Sequence, residues 1–129
     1  MSSIQRIGSD GQWESEYGYS RLVVAGPHAW VAGCTATVDG RIQGGDPYAQ
    51  MKVALEVAAK ALEQAGFGLH DVVRTRWYVV HARDIAEVGR AHGEVFAEYR
   101  PAATALVVSG LMDPGMLVEV ELDAYRTSS

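Results

Sequence analysis

Two hydrophobic periods alternate along the chain. Short β-prone runs come first. Residues 2–7 read as a short edge strand, and residues 8–18, polar and rich in turn formers, read as a surface loop. The runs 21–25 and 28–33 flank Gly26-Pro27, the pattern of a β-hairpin. Val38-Asp39-Gly40-Arg41 then carries an Asp-Gly turn signal. The period changes at residue 46. Met51, Ala54, Leu55, Ala58, Ala61, Leu62 and Ala65 fall on one face of a helix over 48–65. Asp46 suits its N-cap, Pro47 its first position and Gly66 a left-handed stop.

The second half repeats the strand and helix periods. Residues 72–80 form the longest β-prone stretch. Strict alternation puts Val73, Thr75, Trp77 and Val79 on one face, and Val72, Arg74, Arg76, Tyr78 and Val80 on the other. Asp84-Ile85-Ala86-Glu87 resembles a capping box. Ile85, Val88, His92, Val95, Phe96 and Tyr99 mark the inner stripe of the helix that follows, which ends at Pro101. Residues 104–109 and 117–125 predict two closing strands. In the last strand Val118, Val120, Leu122 and Ala124 share one face, and Leu117, Glu119, Glu121, Asp123 and Tyr125 share the other. Three carboxylates in a row on a strand face need water, cationic partners or a cleft.

This order predicts an α+β fold: one mixed β-sheet with two helices packed on one face. The opposite face stays open and mixes aromatics with paired charges, as surfaces between subunits do. A homo-oligomer with its cleft at the interface is the expectation, and a cyclic trimer is one closed solution.

Composition narrows the class. The 129 residues are one domain's worth, spanning 1–129, with 48% hydrophobic and 21% charged residues. That excludes a disordered tail and a disulfide scaffold. The net charge of −5 argues against gripping phosphate backbones, so no nucleic-acid partner is expected. Cys34 is the only cysteine, which fits a reducing, cytoplasmic compartment. Residues 1–6 are polar, without a signal peptide's apolar stretch, and no run is long and apolar enough to predict a membrane span. His28, His70, His81 and His92 lack metal-ligand spacing, and no nucleotide fingerprint is present, so neither a metal nor an organic cofactor is expected.

Five segments, in order, resemble the RidA/YjgF family of small trimeric proteins. Tyr17-Gly18-Tyr19-Ser20 is similar to the family's Gly-Pro-Tyr-Ser, and Val31-Ala32-Gly33 to its Val-Ser-Gly strand. Ala65-Gly66 followed by Asp71-Val72-Val73-Arg74-Thr75 is similar to its helix-to-strand step. Arg100-Pro101-Ala102 resembles Arg-Pro-Ala, and Leu117-Val118-Glu119-Val120-Glu121 resembles Leu-Val-Glu-Ile-Glu. The resemblance implies a trimer folded like the small chorismate mutases, with small-molecule clefts between subunits. It implies hydrolysis of reactive imines and enamines, such as 2-aminoacrylate, to 2-keto acids and ammonia. Archetypal members grip the substrate carboxylate with an arginine directly after Arg-Pro-Ala. That position here is Ala103. The serine of Val-Ser-Gly is Ala32, and the glutamine after its glycine is Cys34.

The resemblance therefore implies a hydrolase or deaminase for a small imine, enamine or related C–N compound. Glu119 would position water as the catalytic group, and Tyr19 would contact the ligand. Cys34, Ala103 and Thr104 would line the pocket, and Arg74 and Arg76 are candidates to replace the missing arginine. Each residue has a plainer reading beside this one. Glu119 and Glu121 can pair with Arg74 or Arg76 across neighbouring strands. Tyr19 can be a half-buried aromatic, and Cys34 an inert buried thiol. The alternative at the level of the whole protein is a non-catalytic metabolite-binding or chaperone-like trimer, which Ala103 favours. An RNA-cleaving activity also attaches to the family, and the acidic charge counts against it.

Overall fold

The computed structural model describes residues 3–9 and 11–127, and these form eight strands and three α-helices. Six strands, β1 (Ile4–Ile7), β2 (Leu22–Ala25), β3 (His28–Cys34), β6 (Val72–Val79), β7 (Ala102–Val107) and β8 (Val118–Tyr125), make one sheet in the order β1-β2-β3-β8-β6-β7. All neighbours are antiparallel except β6 and β7, so the sheet is mixed as expected. The Asp39-Gly40 turn joins a separate two-stranded hairpin, β4 (Thr37–Val38) and β5 (Arg41–Ile42). The edge-strand expectation holds for β1, with Ser2 lying outside the described residues.

Helix α2 (Pro47–Glu63) forms for the reasons its sequence gives. The Asp46 carboxylate accepts the Ala49 N–H at 2.7 Å. Met51, Ala54, Leu55, Ala58, Ala61 and Leu62 are buried against the sheet, and the Val118, Val120, Leu122 and Ala124 face of β8 is buried opposite them. After the helix Gly66 turns the chain at φ 79°. Arg126 lies over the Phe67 ring and donates to the carbonyls of Ala65 and Gly66 at 3.2 and 2.9 Å. Helix α3 (Ile85–Phe96) packs beside α2 and buries Val88, Ala91, His92 and Phe96. His92 stacks on Trp77, and Thr75 Oγ1 bridges the two rings, 2.9 Å from His92 Nε2 and 3.2 Å from Trp77 Nε1. Both long helices therefore cover one face of the sheet.

Five local expectations are corrected. The segment 8–18 is not all loop: Trp13–Tyr17 is helix α1, held by the buried Glu14 carboxylate, which accepts the Ser9 N–H at 2.9 Å and the Ser9 hydroxyl. Strict alternation fails at the start of β6. A bulge against β8 between Val72 and Arg74 buries Val72 and leaves Val73 half exposed. Asp84 makes no side-chain cap, because it already has helical dihedrals (φ −87°, ψ −9°) inside the preceding 3-10 turn, whereas capping needs an extended residue. Helix α3 ends at Phe96, before Tyr99 and Pro101, and Arg100 at φ 50° redirects the chain. The strand expected at 104–109 spans Ala102–Val107 instead. It is an edge strand, and all six of its residues are exposed.

Candidate functional site

The site grows from an irregularity in the middle of the sheet. The β3–β8 register shifts between Val31 and Cys34, so Ala32 and Gly33 bulge out of the ladder. A bulge strands backbone carbonyls, which need other donors. Arg21, at the entrance to β2, supplies them. Its Nη1 donates to Ala32 O at 3.0 Å and Gly33 O at 2.7 Å, and lies 3.2 Å from Cys34 Sγ. The bare Cα of Gly33 leaves room for the side chain of Glu119, whose Cδ would lie 2.8 Å from a Cβ placed at Gly33.

Around this point lies a cavity of about 1040 Å³. Glu119, Gly33, Cys34 and Arg21 form its floor. Trp13 and Tyr17 of α1, with rings stacked 5.3 Å apart, form one wall together with Tyr19. Tyr19 is delivered by the end of α1, where Gly18 turns left-handed at φ 77° and the N–H groups of Gly18 and Tyr19 both bond Glu14 O. Asp39 of the small hairpin and Met112, Asp113 and Met116 of the β7–β8 connection close the other sides. That connection is anchored by the buried Gln50. Its amide donates to Gly44 O and Gly115 O at 3.2 and 3.1 Å and accepts the Leu117 N–H at 2.9 Å.

Burial sets the protonation chemistry of the floor. It pushes the Glu119 carboxyl above its ordinary value of 4.5, Glu121 adds to the rise, and Arg21 opposes it. A carboxylate held this way is more basic than an exposed one and suits proton transfer to and from water. Burial also pushes the Cys34 thiol up to about 11, with Arg21 opposing. Cys34 is thus a protonated thiol, donating to Ala32 O at 3.3 Å, despite a cation that its sequence neighbours do not reveal.

The structure brings Tyr19, Cys34 and Glu119 to one cavity. Arg76 lies elsewhere on the outer sheet face, 3.4 Å from Glu121 and 3.6 Å from Asp123, and Tyr78 donates to Glu121. Arg74 stands in register with Asp123 on the same face. Ala103 and Thr104 lie on β7, at the sheet edge beyond β6, and neither reaches the cavity of its own chain. Ala103 pairs with Thr75, whose side chain faces the helices, whereas Glu119 is on the opposite face. Sequence reasoning missed Arg21, Trp13, Asp39 and the two methionines. The i, i+4 pair of Trp13 and Tyr17 was the one local signal for α1.

The sequence profile of the family described as Endoribonuclease L-PSP matches residues 11–126. The chain belongs to the YjgF/L-PSP family. Within the YjgF/L-PSP proteins it is similar to an uncharacterised Streptomyces coelicolor protein, SCO2049, at 45% identity over 96% of this chain and 93% of that one. It is also similar to the RutC family protein PH0854 of Pyrococcus horikoshii, at 34% identity over 84% and 86% of the two chains. Among solved structures it superimposes on Rv2704 of Mycobacterium tuberculosis, a member of the YjgF/YER057c/UK114 family, with a TM-score of 0.88 and 43% identity over 95% and 99% of the chains. Yeast Mmf1, at 15% identity and a TM-score of 0.86, shares the YjgF/L-PSP fold. Among the described residues no helix is long and apolar enough to cross a membrane.

Proposed function

We propose that the protein is a homotrimer that hydrolyses a small imine, enamine or related C–N compound in clefts between its subunits. The observation that carries this reading is the half-buried Glu119 carboxylate on the floor of a cavity that Tyr19 also lines. In the proposed reaction Glu119 accepts a proton from water as the water oxygen bonds to the C=N carbon. The π pair collapses onto nitrogen. The carboxyl then returns its proton to that nitrogen. As the carbonyl forms, the hydroxyl proton passes to the departing nitrogen and the C–N bond breaks with its electron pair leaving on the amine, so the imine and one water give the carbonyl compound and the amine. Tyr19 contacts the ligand, and no metal or organic cofactor enters. The inter-subunit cleft is supported by the sheet order, since Ala103 and Glu119 of one chain lie on opposite sheet faces. A neighbouring subunit's β7 is what would bring Ala103 and Thr104 to the cavity.

The second reading, a non-catalytic metabolite-binding trimer, is favoured by Ala103, where archetypal members carry the arginine clamp. Ribonuclease activity is disfavoured, because carboxylates on the cavity walls repel a phosphodiester.

The test measures release of ammonia or amine from imines generated in situ, with and without a carboxylate, for wild type, Glu119→Gln and Ala103→Arg. Turnover of either imine, reduced at least about 100-fold by Glu119→Gln, is the expected result. Ligand-induced stabilisation without turnover by wild type selects the binding module. Turnover gained only by Ala103→Arg means that the scaffold has left the archetypal chemistry.

A further inference from the structure

The walls of the cavity carry a charge pattern that selects among C–N compounds. Among the described residues three acidic residues line it, Asp39, Asp113 and Glu119, with one carboxylate oxygen of Asp113 accepting the Gly115 N–H at 2.8 Å. Among the described residues the one cation on its surface is Arg21, and the guanidinium of Arg21 is turned into the bulge, held by Ala32 O and Gly33 O. A carboxylate-bearing ligand entering here would meet anions and no free cation. The carboxylates are also spread around the walls: among the described residues no group of three His, Cys, Asp or Glu side chains converges closely enough to hold a metal ion. The field therefore acts on a ligand of some size, not on a point ion.

The aromatic wall completes the pattern. Trp13 and Tyr17 stack with their planes 6° apart, and Tyr19, 40% exposed, lines the same cavity. Indole and phenol faces attract organic cations through the ring quadrupole and cover flat apolar groups. Met112 and Met116 on the far side offer soft, adaptable surface.

We propose that this cavity takes a cationic iminium compound bearing an aryl or alkyl group and lacking a carboxylate, held by the Trp13–Tyr17 wall and the Asp39 and Asp113 carboxylates. The proposal rests on the hydrolase reading for its chemistry and on the cavity alone for its selectivity. Hydrolysis balances without an added oxidant or reductant. The iminium and one water give the carbonyl compound and the ammonium ion, with the positive charge conserved. The water oxygen ends in the carbonyl, and both water protons end on nitrogen, one carried by Glu119.

The experiment uses the full chain and two matched imines. Benzaldimine is generated in situ from benzylamine by a flavin amine oxidase. The imine of phenylglycine is generated by an amino acid oxidase. Both carry a phenyl group, and the second adds a carboxylate. A parallel arm titrates benzyltrimethylammonium and phenylacetate, the one cationic and the other anionic, against the protein by thermal shift and calorimetry. The expected result is at least a 20-fold preference for benzaldimine in turnover, together with binding of the ammonium and none of phenylacetate. Asp39→Asn should weaken ammonium binding about 5-fold. Asp39 sits at φ 52°, a conformation asparagine adopts readily, so the variant tests charge without disturbing the turn. Trp13→Leu should weaken it further.

Ammonium binding without turnover of either imine keeps the selectivity and removes the hydrolase reading. Equal or better turnover of the carboxylated imine overturns the inference, as does binding of phenylacetate. Either result would mean that a neighbouring subunit brings a cation into the cleft. Binding of neither probe overturns it as well.

Discussion

The carboxylate of Glu119 on β8 lies directly over Gly33 on β3, in the space that a side chain at position 33 would fill. The backbone of Gly33 is not what requires glycine here; the neighbour is. Gly33→Ala should therefore displace the Glu119 side chain and leave the strand intact. Imine hydrolysis should fall about 100-fold, the scale expected when a reacting group moves by an ångström. Unfolding stability should drop by no more than about 2 kcal/mol, because the clashing atoms belong to a flexible side chain. Adding Glu119→Ala should recover that stability without recovering activity, and a double-mutant cycle in denaturant reads the coupling. A Gly33→Ala variant of full activity would show that the carboxylate position does not matter.

Glu119 also makes stability depend on pH. Its folded-state value is raised above 4.5 by burial. The unfolded chain therefore releases this proton at lower pH than the folded chain. Stability is full below 4.5, is lost as pH rises from there through the folded value, and stays lower above it. Glu119→Gln should raise the thermal midpoint at pH 7, and the difference should vanish by about pH 4. A constant difference across that range would place the effect in packing, not charge.

Cys34 should be inert. A buried thiol pushed up to about 11 exposes almost no thiolate at pH 7.5, although Arg21 Nη1 is only 3.2 Å away. Alkylation by iodoacetamide, followed by mass spectrometry, should run at least about 100-fold slower in the native protein than in denaturant. Native alkylation at the denatured rate would put the thiol on an open surface.

Gln50 ties the cavity to helix α2. Gln50→Met keeps its volume and leaves the Leu117 N–H and the Gly44 and Gly115 carbonyls without this partner. The cost should be about 2–4 kcal/mol in urea unfolding, for three part-buried hydrogen bonds lost. The same change should weaken ligand binding, since Met112, Asp113 and Met116 ride on the connection that Gln50 holds. Ligand affinity equal to wild type would separate the connection from the site.

Periodicity located the long elements because burial on one face dictates it. Helix α2 buries its expected face from Met51 to Leu62 but ends at Glu63, two residues before the expected Ala65, and strand β8 buries its expected face from Val118 to Ala124. Local exceptions escaped because their causes are distant. The bulge that hides Val72 and exposes Val73 is set by pairing with Ala124 and Asp123. Helix α1 depends on the buried Glu14 carboxylate and its bonds to Ser9. The role of Arg21 depends on carbonyls eleven and twelve residues further on. Tyr19, Cys34 and Glu119 were found because family motifs carry them, while Trp13 reaches the cavity on the five-residue helix α1, and Asp39 and the methionines on a turn and a connection that no period describes.

Strand β7 carries a liability that the proposed trimer has to manage. Its sequence, Ala-Ala-Thr-Ala-Leu-Val, carries no charge, and one side of its backbone ladder is open along its whole length. Such an edge is a template for any other strand it meets, and natural sheets guard theirs with lysine, proline or a bulge. Only Pro101, at its threshold, guards this one. In the proposed trimer the lone subunit is the aggregation-prone species. For that trimer the thermal midpoint should fall as protein concentration falls, and unfolding at high concentration should end in turbidity, not in a soluble monomer.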